Sequence, residues 1–216
     1  MSREAATLQI SVMGRPVLIS SADEALLGAI ARTYGEWPVS RLAGGPQIRL
    51  ALELGPAERG GGSIALVVDG PLLRMTGAGV EGWADARWLE ARCRIPIGLA
   101  AGADDLTRVT DTLLLFLLTR SGRIPVHAAG VVIGKMAVVL AGPSGTGKST
   151  LSLAAMARGL RILSDDTVYI QLQPSLRIWG FPRPVHVFPA DAPRFTAGRA
   201  IRSASRRRAL MVKGSP

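Results

Sequence analysis

Ten consecutive residues set the terms for this chain: Ala141-Gly142-Pro143-Ser144-Gly145-Thr146-Gly147-Lys148-Ser149-Thr150. Gly142 to Ser149 match G-x-x-x-x-G-K-[ST], the Walker A string, and both flanks suit it. Ahead lies Met136-Ala-Val-Val-Leu140, apolar and β-branched, which reads as a buried strand. Behind, Thr150 to Arg158 lacks Gly and Pro and is rich in Leu, Ala and Met, which reads as a helix. Strand, Gly-rich turn and helix N-terminus form the context in which this string becomes a phosphate cradle. Gly142, Gly145 and Gly147 let the backbone approach closely, so that successive N–H groups face phosphate oxygens. The helix N-terminus adds partial positive charge there. Lys148 is the residue to reach the β- and γ-phosphates, and Ser149 the one to set a hydroxyl on Mg²⁺. The bland alternative is a chance Gly-rich turn between strand and helix, and four fixed positions with matching flanks weigh against it.

The stretch after that helix adds the chemistry. Gly159 suits a helix C′ position, and Leu160-Arg-Ile-Leu-Ser reads as a short strand ending in Asp165 and Asp166. A helix of about ten residues spans ~15 Å. A strand returning at once, parallel to the first, ends beside the loop, where α/β sheets bind ligands. One carboxylate can then hold Mg²⁺, directly or through water, while the other takes a proton from an attacking hydroxyl. Alternation along a strand sends the two side chains opposite ways, so the roles separate. His127 sits in an apolar run before the loop strand, where pattern alone favours a satisfied core histidine over a catalyst. His186, between two valines, reads the same way.

Composition sets the outer bounds. Hydrophobic residues make up 48% and charged residues 19% of 216, which describes a globular chain of one large domain or two small ones. The net charge of +10 comes from arginine, since only three of the 26 cations are lysine. Many of these crowd after Asp191, where no acid follows. With no aromatic interleaving beyond Phe195, the tail reads as solvated or as a contact for an acidic partner, and nucleic acid is disfavoured. The single Cys93 excludes an intrachain disulfide and fits a buried thiol in a reducing, cytoplasmic setting. The N-terminus has no signal-peptide core, and Leu113–Leu118 is too short to span a bilayer, so no membrane partner is expected.

The first 120 residues carry no recognisable chemistry. Residues 7–20 predict a hairpin turning at Gly14-Arg15-Pro16. Ser21 or Asp23 can cap a helix to about Tyr34, ended by Gly35 and Pro38. Gln47–Leu54, Ser63–Asp69 and Leu72–Thr76 predict short strands, and Gly82–Arg94 a strand of weak periodicity. Asp104 or Asp105 then caps a helix to about Arg120. From Ser121 the texture changes to the apolar pair Ile124–Ile133 and Met136–Leu140 around a Gly134-Lys135 turn. Thr167–Leu172 and Leu176–Trp179 predict strands around Gln173-Pro174, and Phe181–Pro189 reads as extended.

Taken together, His127-Ala-Ala-Gly-Val-Val-Ile, the loop Leu140 to Thr150, and Arg158-Gly-Leu-Arg-Ile-Leu-Ser-Asp-Asp166 resemble the catalytic domain of HPr serine kinase/phosphorylase. The three elements fall at the family's intervals and cover residues 121–172. The resemblance implies an α/β P-loop nucleotide-binding domain of the PEPCK/HPr-kinase-like kind over 121–216, while residues 1–120 ahead of it read as a mixed α+β region. It implies ATP and Mg²⁺ as cofactors and a serine hydroxyl on a small protein or peptide as the acceptor. It assigns catalysis to Asp166, His127 and Lys148 and metal binding to Ser149, which leaves Asp165 as the carboxylate to hold Mg²⁺. His127 thereby changes from core residue to a group that orients Asp166 or the phosphates.

The family's further Glu ligand has no clear match in Phe181–Asp191, where Asp191 is the nearest carboxylate. Its dephosphorylation segment has no counterpart, and residues 1–120 differ from its usual partner domain. The expectation is a kinase-like relative without phosphorylase activity, with self-association left open. A kinase tailoring a lasso-type ribosomal peptide, an ATP-binding regulatory module without phosphotransfer, and an inactive remnant are the alternatives.

Overall fold

A computed structural model describes residues 5–34, 45–55, 62–100, 102–181, 185–187 and 210–212. Its backbone divides into two compact units, Met1–Ser121 and Gly122–Pro216. Both mix strands with few helices, an α/β chain with mixed sheets.

The first unit opens with a hairpin, β1 (Ala6–Val12) and β2 (Arg15–Ser21), paired from Ala6↔Ser21 to Val12↔Arg15. Helix α1 (Glu24–Tyr34) follows at once. Asp23 is its cap: Oδ1 accepts the Leu26 N–H at 2.7 Å, satisfying one of the donors left free at a helix start. Gly35 and Pro38, the expected stop, lie outside the described residues. The chain returns as β3 (Ile48–Leu54), parallel to β2. A meander completes the sheet: β4 (Ala65–Asp69), β5 (Leu72–Gly77), β6 (Val80–Asp85) and β7 (Glu90–Ile95), with β7 parallel to β3. The strand order is β1-β2-β3-β7-β6-β5-β4.

The stretch 82–94 is therefore two strands, not one. Asp85 bends it, accepting the Arg87 N–H at 2.9 Å and pairing with the Arg87 guanidinium at 2.6 Å. The hydrogen-bonded guanidinium holds the Asp85 carboxyl below its ordinary value. Helix α2 (Ile97–Ala100) is a single turn, and α3 (Ala103–Arg120) is long. The cap of α3 is Gly102, which offers no side chain; Asp104 and Asp105 sit in the first turn, where the helix dipole favours them.

Alternation along the strands sends Ile48, Leu50, Leu52, Leu73, Met75, Cys93 and Ile95 to one face. There they bury with Leu26 and Ile30 of α1 and Leu106, Val109, Leu113 and Leu117 of α3. The Tyr34 hydroxyl donates to Asp111 Oδ1 at 2.5 Å, tying α1 to α3. Burial pushes the Cys93 thiol up to about 12. An aromatic disulfide reagent is expected to leave Cys93 untouched at pH 8 in the native protein and to react fully on unfolding, because the thiolate is the reactive form.

The second unit is organised by β8 (Ile124–Ile133). Its first half pairs with β11 (Thr167–Gln171), from Ile124↔Ile170 to His127↔Thr167. Its second half pairs on one edge with β9 (Met136–Ala141) and on the other with β10 (Arg161–Ser164). All three pairings are antiparallel, so β9 and β10 run the same way with β8 between them. The expectation of a strand returning parallel to the loop strand holds for direction, while β8 occupies the place between them. Strand β12 (Arg177–Gly180) pairs with β11. Helix α4 (Lys148–Ala157) starts two residues earlier than its composition suggested, with Gly147 as cap. It ends in a Schellman motif: the Gly159 N–H donates to the Met156 carbonyl at 2.9 Å and the Leu160 N–H to the Ala155 carbonyl at 3.0 Å.

Outside this sheet, β13 (Val185–Val187) and β14 (Leu210–Val212) pair in parallel, with His186 opposite Met211. Asp191 and the arginine-rich stretch before β14 lie outside the described residues. No helix among the described residues is long and apolar enough to cross a membrane.

Gly180 of β12 packs directly against the backbone of β10 at Leu163. A Cβ there would collide with the Leu163 carbonyl, which is backbone and cannot swing aside. Gly180→Ala is expected to destabilise the fold by about 1–3 kcal/mol, the usual cost of overpacking, read as a lower urea midpoint.

Candidate active site

The loop between β9 and α4 follows from its glycines. Gly145 and Gly147 stand at φ +84° and +87°, in left-handed backbone that β-carbon-bearing residues avoid. Gly147 turns the chain into α4, so Lys148 is the first helical residue and Ser149 the second. Thr146 Oγ1 donates back to the Pro143 carbonyl at 2.9 Å and closes the turn. Lys148 is buried, and its Nζ donates to the carbonyls of Gly142 at 2.7 Å and Pro143 at 2.9 Å. The ammonium therefore lies within the loop. Ser149 is half-buried, and Pro143, Ser144, Gly145, Thr146 and Thr150 are exposed.

The carboxylates lie across β8 from this loop. Ser164 pairs with Gly130 and Thr167 with His127, so Asp165 and Asp166 bow out of the ladder beside Ala129 and Ala128. On its other edge Ala128 pairs with Ala141, the residue before the loop. Register alone thus sets the loop and the two carboxylates on either side of the same two alanines, both fully buried. His127 is next in line. It is exposed, not a core histidine, and its Nδ1 lies 3.2 Å from Asp166 Oδ1.

Two residues that the sequence reading passed over fix Asp166. Ser164 Oγ accepts the N–H groups of Asp166 at 3.3 Å and Thr167 at 3.1 Å, shaping the bend. Thr167 Oγ1 donates to Asp166 Oδ2 at 3.0 Å. Each carboxylate oxygen thus has one partner, His127 on one and Thr167 on the other. The signal was present as Ser-Asp-Asp-Thr, since a serine ahead of a bend caps local N–H groups. Tyr169, next inward on β11, has its hydroxyl proton held more tightly, by burial first and by the Asp166 charge second.

Asp165 is half-buried and Asp166 exposed, and both lie in the bend between β10 and β11, outside the strands. Among the described residues no three His, Cys, Asp or Glu side chains cluster as a metal site. Ser149 and Asp165 offer a hydroxyl and a carboxylate oxygen, the donor type that a hard cation such as Mg²⁺ takes.

No family model and no solved structure matches the chain. Curated proteins do. HPr kinase/phosphorylase of Streptococcus pneumoniae strain Hungary19A-6 is 34% identical over 91 residues, 42% of this chain and 29% of the relative. The same figures hold for strain ATCC 700669, and strain R6 differs only in the share covered, 28%. The match spans less than a third of these relatives' length. Over that span the chain is distantly similar to HPr kinase/phosphorylase.

Proposed function

We propose that the chain is an ATP- and Mg²⁺-dependent phosphotransferase, HPr-kinase-like, that phosphorylates a serine hydroxyl of a small protein or peptide. The observation that carries this reading is the His127–Asp166 contact, set by register beside the alanines that lead into the loop. A general base needs a carboxylate held at a fixed angle, and Asp166 is held from both oxygens. Residues 142–150 fit a triphosphate: two glycines in left-handed backbone, a helix N-terminus and an ammonium inside the turn. ATP·Mg²⁺ supplies the transferable γ-phosphoryl group. Lys148 neutralises its charge, and Ser149 with Asp165 holds the metal. Asp166 accepts the proton of the serine hydroxyl, and His127 and Thr167 keep its carboxylate aimed.

The test is transfer of label from γ-labelled ATP, with purified HPr and a serine-bearing peptide as acceptors. Label is expected on serine with the wild-type chain and about 10²–10⁴-fold more slowly with Asp166→Asn. ATP binding without transfer or hydrolysis would favour the regulatory module instead.

A further inference from the structure

Soluble proteins blunt their edge strands with lysine, proline or bulges, because an open edge recruits another strand. Strand β4 has none of these from Ala65 to Val68. It ends the sheet, and its pairing with β5 runs unbroken from Ala65↔Thr76 to Asp69↔Leu72. All five residues are exposed, with Leu66 at 52%, Val67 at 58% and Val68 at 52%. Its outer backbone groups have no strand partner among the described residues.

The two faces beside this edge differ. Leu66 and Val68 share one face, where Leu66 borders a groove of about 350 Å³ that mixes apolar Met75 and Val109 with polar Asp105, Arg108 and Thr112. On the opposite face, register puts Val67 beside Arg74, Arg74 beside Trp83, and Trp83 beside Arg92. Arg92 is paired with Glu53 at 2.7 Å, whereas Arg74 has no ion pair among the described residues. An added strand would alternate its side chains between the exposed Leu66 and Val68 on one face and Arg74 on the other.

We propose that β4 is the docking edge for an extended segment of another polypeptide in which apolar and acidic residues alternate. The segment joins the sheet as a further strand, its apolar side chains against Leu66 and Val68 and its carboxylates toward Arg74. A second copy of this chain fits less well. Five paired residues cover about 17 Å of strand, too little for the roughly 1,200 Å² of a stable interface. Single-stranded nucleic acid also fits less well, since Glu53 and Glu81 already face Arg92 and Arg94. That the docked polypeptide carries the phosphoacceptor rests on the function proposed above; the docking itself does not.

The probe is a fluorescein-labelled peptide, acetyl-Glu-Val-Glu-Leu-Glu-Val-Glu-Leu-amide, titrated with the full chain and followed by polarisation. Saturable micromolar binding is expected. Leu66→Asp and Val68→Asp should each weaken it tenfold or more. Arg74→Glu should shift preference to the counterpart with lysine in place of glutamate. A peptide with proline at alternate positions should not bind, because the ladder needs its N–H groups. All three variants alter exposed side chains, and unchanged melting temperatures verify their fold. Lys148→Ala should bind the probe as wild type does, so a failed kinase reading leaves this result standing. Equal affinity for the acidic, lysine and proline peptides overturns the proposal. So does absence of saturable binding, competition by a poly(U) strand, or a dimer that Leu66→Asp abolishes.

Discussion

Lys148→Ala is expected to weaken ATP·Mg²⁺ binding by about 10–100-fold and to abolish turnover. Hydrogen bonds to charged groups contribute about 1.5–3 kcal/mol each, which is the origin of that range. The side chain has two tasks. Its Nζ spans the carbonyls of Gly142 and Pro143, so it shapes the loop; with phosphates present it also offsets their charge. Lys148→Arg should not rescue, because a planar fork does not fill the place of a compact ammonium. Calorimetry separates the outcomes. Equal affinity and equal activity in wild type and alanine variant would put the nucleotide elsewhere.

Asp166→Asn is expected to slow phosphotransfer by about 10²–10⁴, the usual contribution of general acid–base catalysis, with ATP binding largely retained. The amide keeps the shape and loses the proton acceptor. His127→Ala should cost less, because Thr167 still holds the other carboxylate oxygen. Asp165→Asn should act through metal affinity and be partly restored by excess Mg²⁺. Single-turnover transfer of labelled γ-phosphate ranks the three. If Asp165→Asn is dead while Asp166→Asn transfers normally, the two carboxylates have exchanged roles; if neither matters, the chain binds nucleotide without transferring phosphate.

What the sequence disclosed was local. The hairpin at Gly14, the Asp23 cap and the Gly159 helix end each rest on neighbours within a few residues, and the structure has all three. The bend at Asp85 was missed because its cause is one carboxylate two residues from its guanidinium, which leaves no periodic trace. The position of β8 between β9 and β10 was out of reach for another reason. Turn chemistry shows where a strand starts and stops, but pairing partners are settled by the whole sheet. His127 shows the same limit. Ala128 to Val131 on one side of it are buried, while Ile124 and Pro125 on the other side and His127 itself are exposed, which alternation alone could not decide. Ser164 and Thr167 were readable as a capped bend, yet their bearing on Asp166 needed coordinates.

Because β8 is the common partner of β9, β10 and β11, the site has no separable halves. Opening that one strand would release the loop and both carboxylates in the same event. Amide exchange at Ala128, Ala129 and Gly130 should therefore report the slowest opening of this unit. Heating should give no species that keeps the nucleotide loop while losing the carboxylates. Loss of activity and loss of ordered sheet should fall on one curve, so the active fraction becomes a direct count of folded molecules.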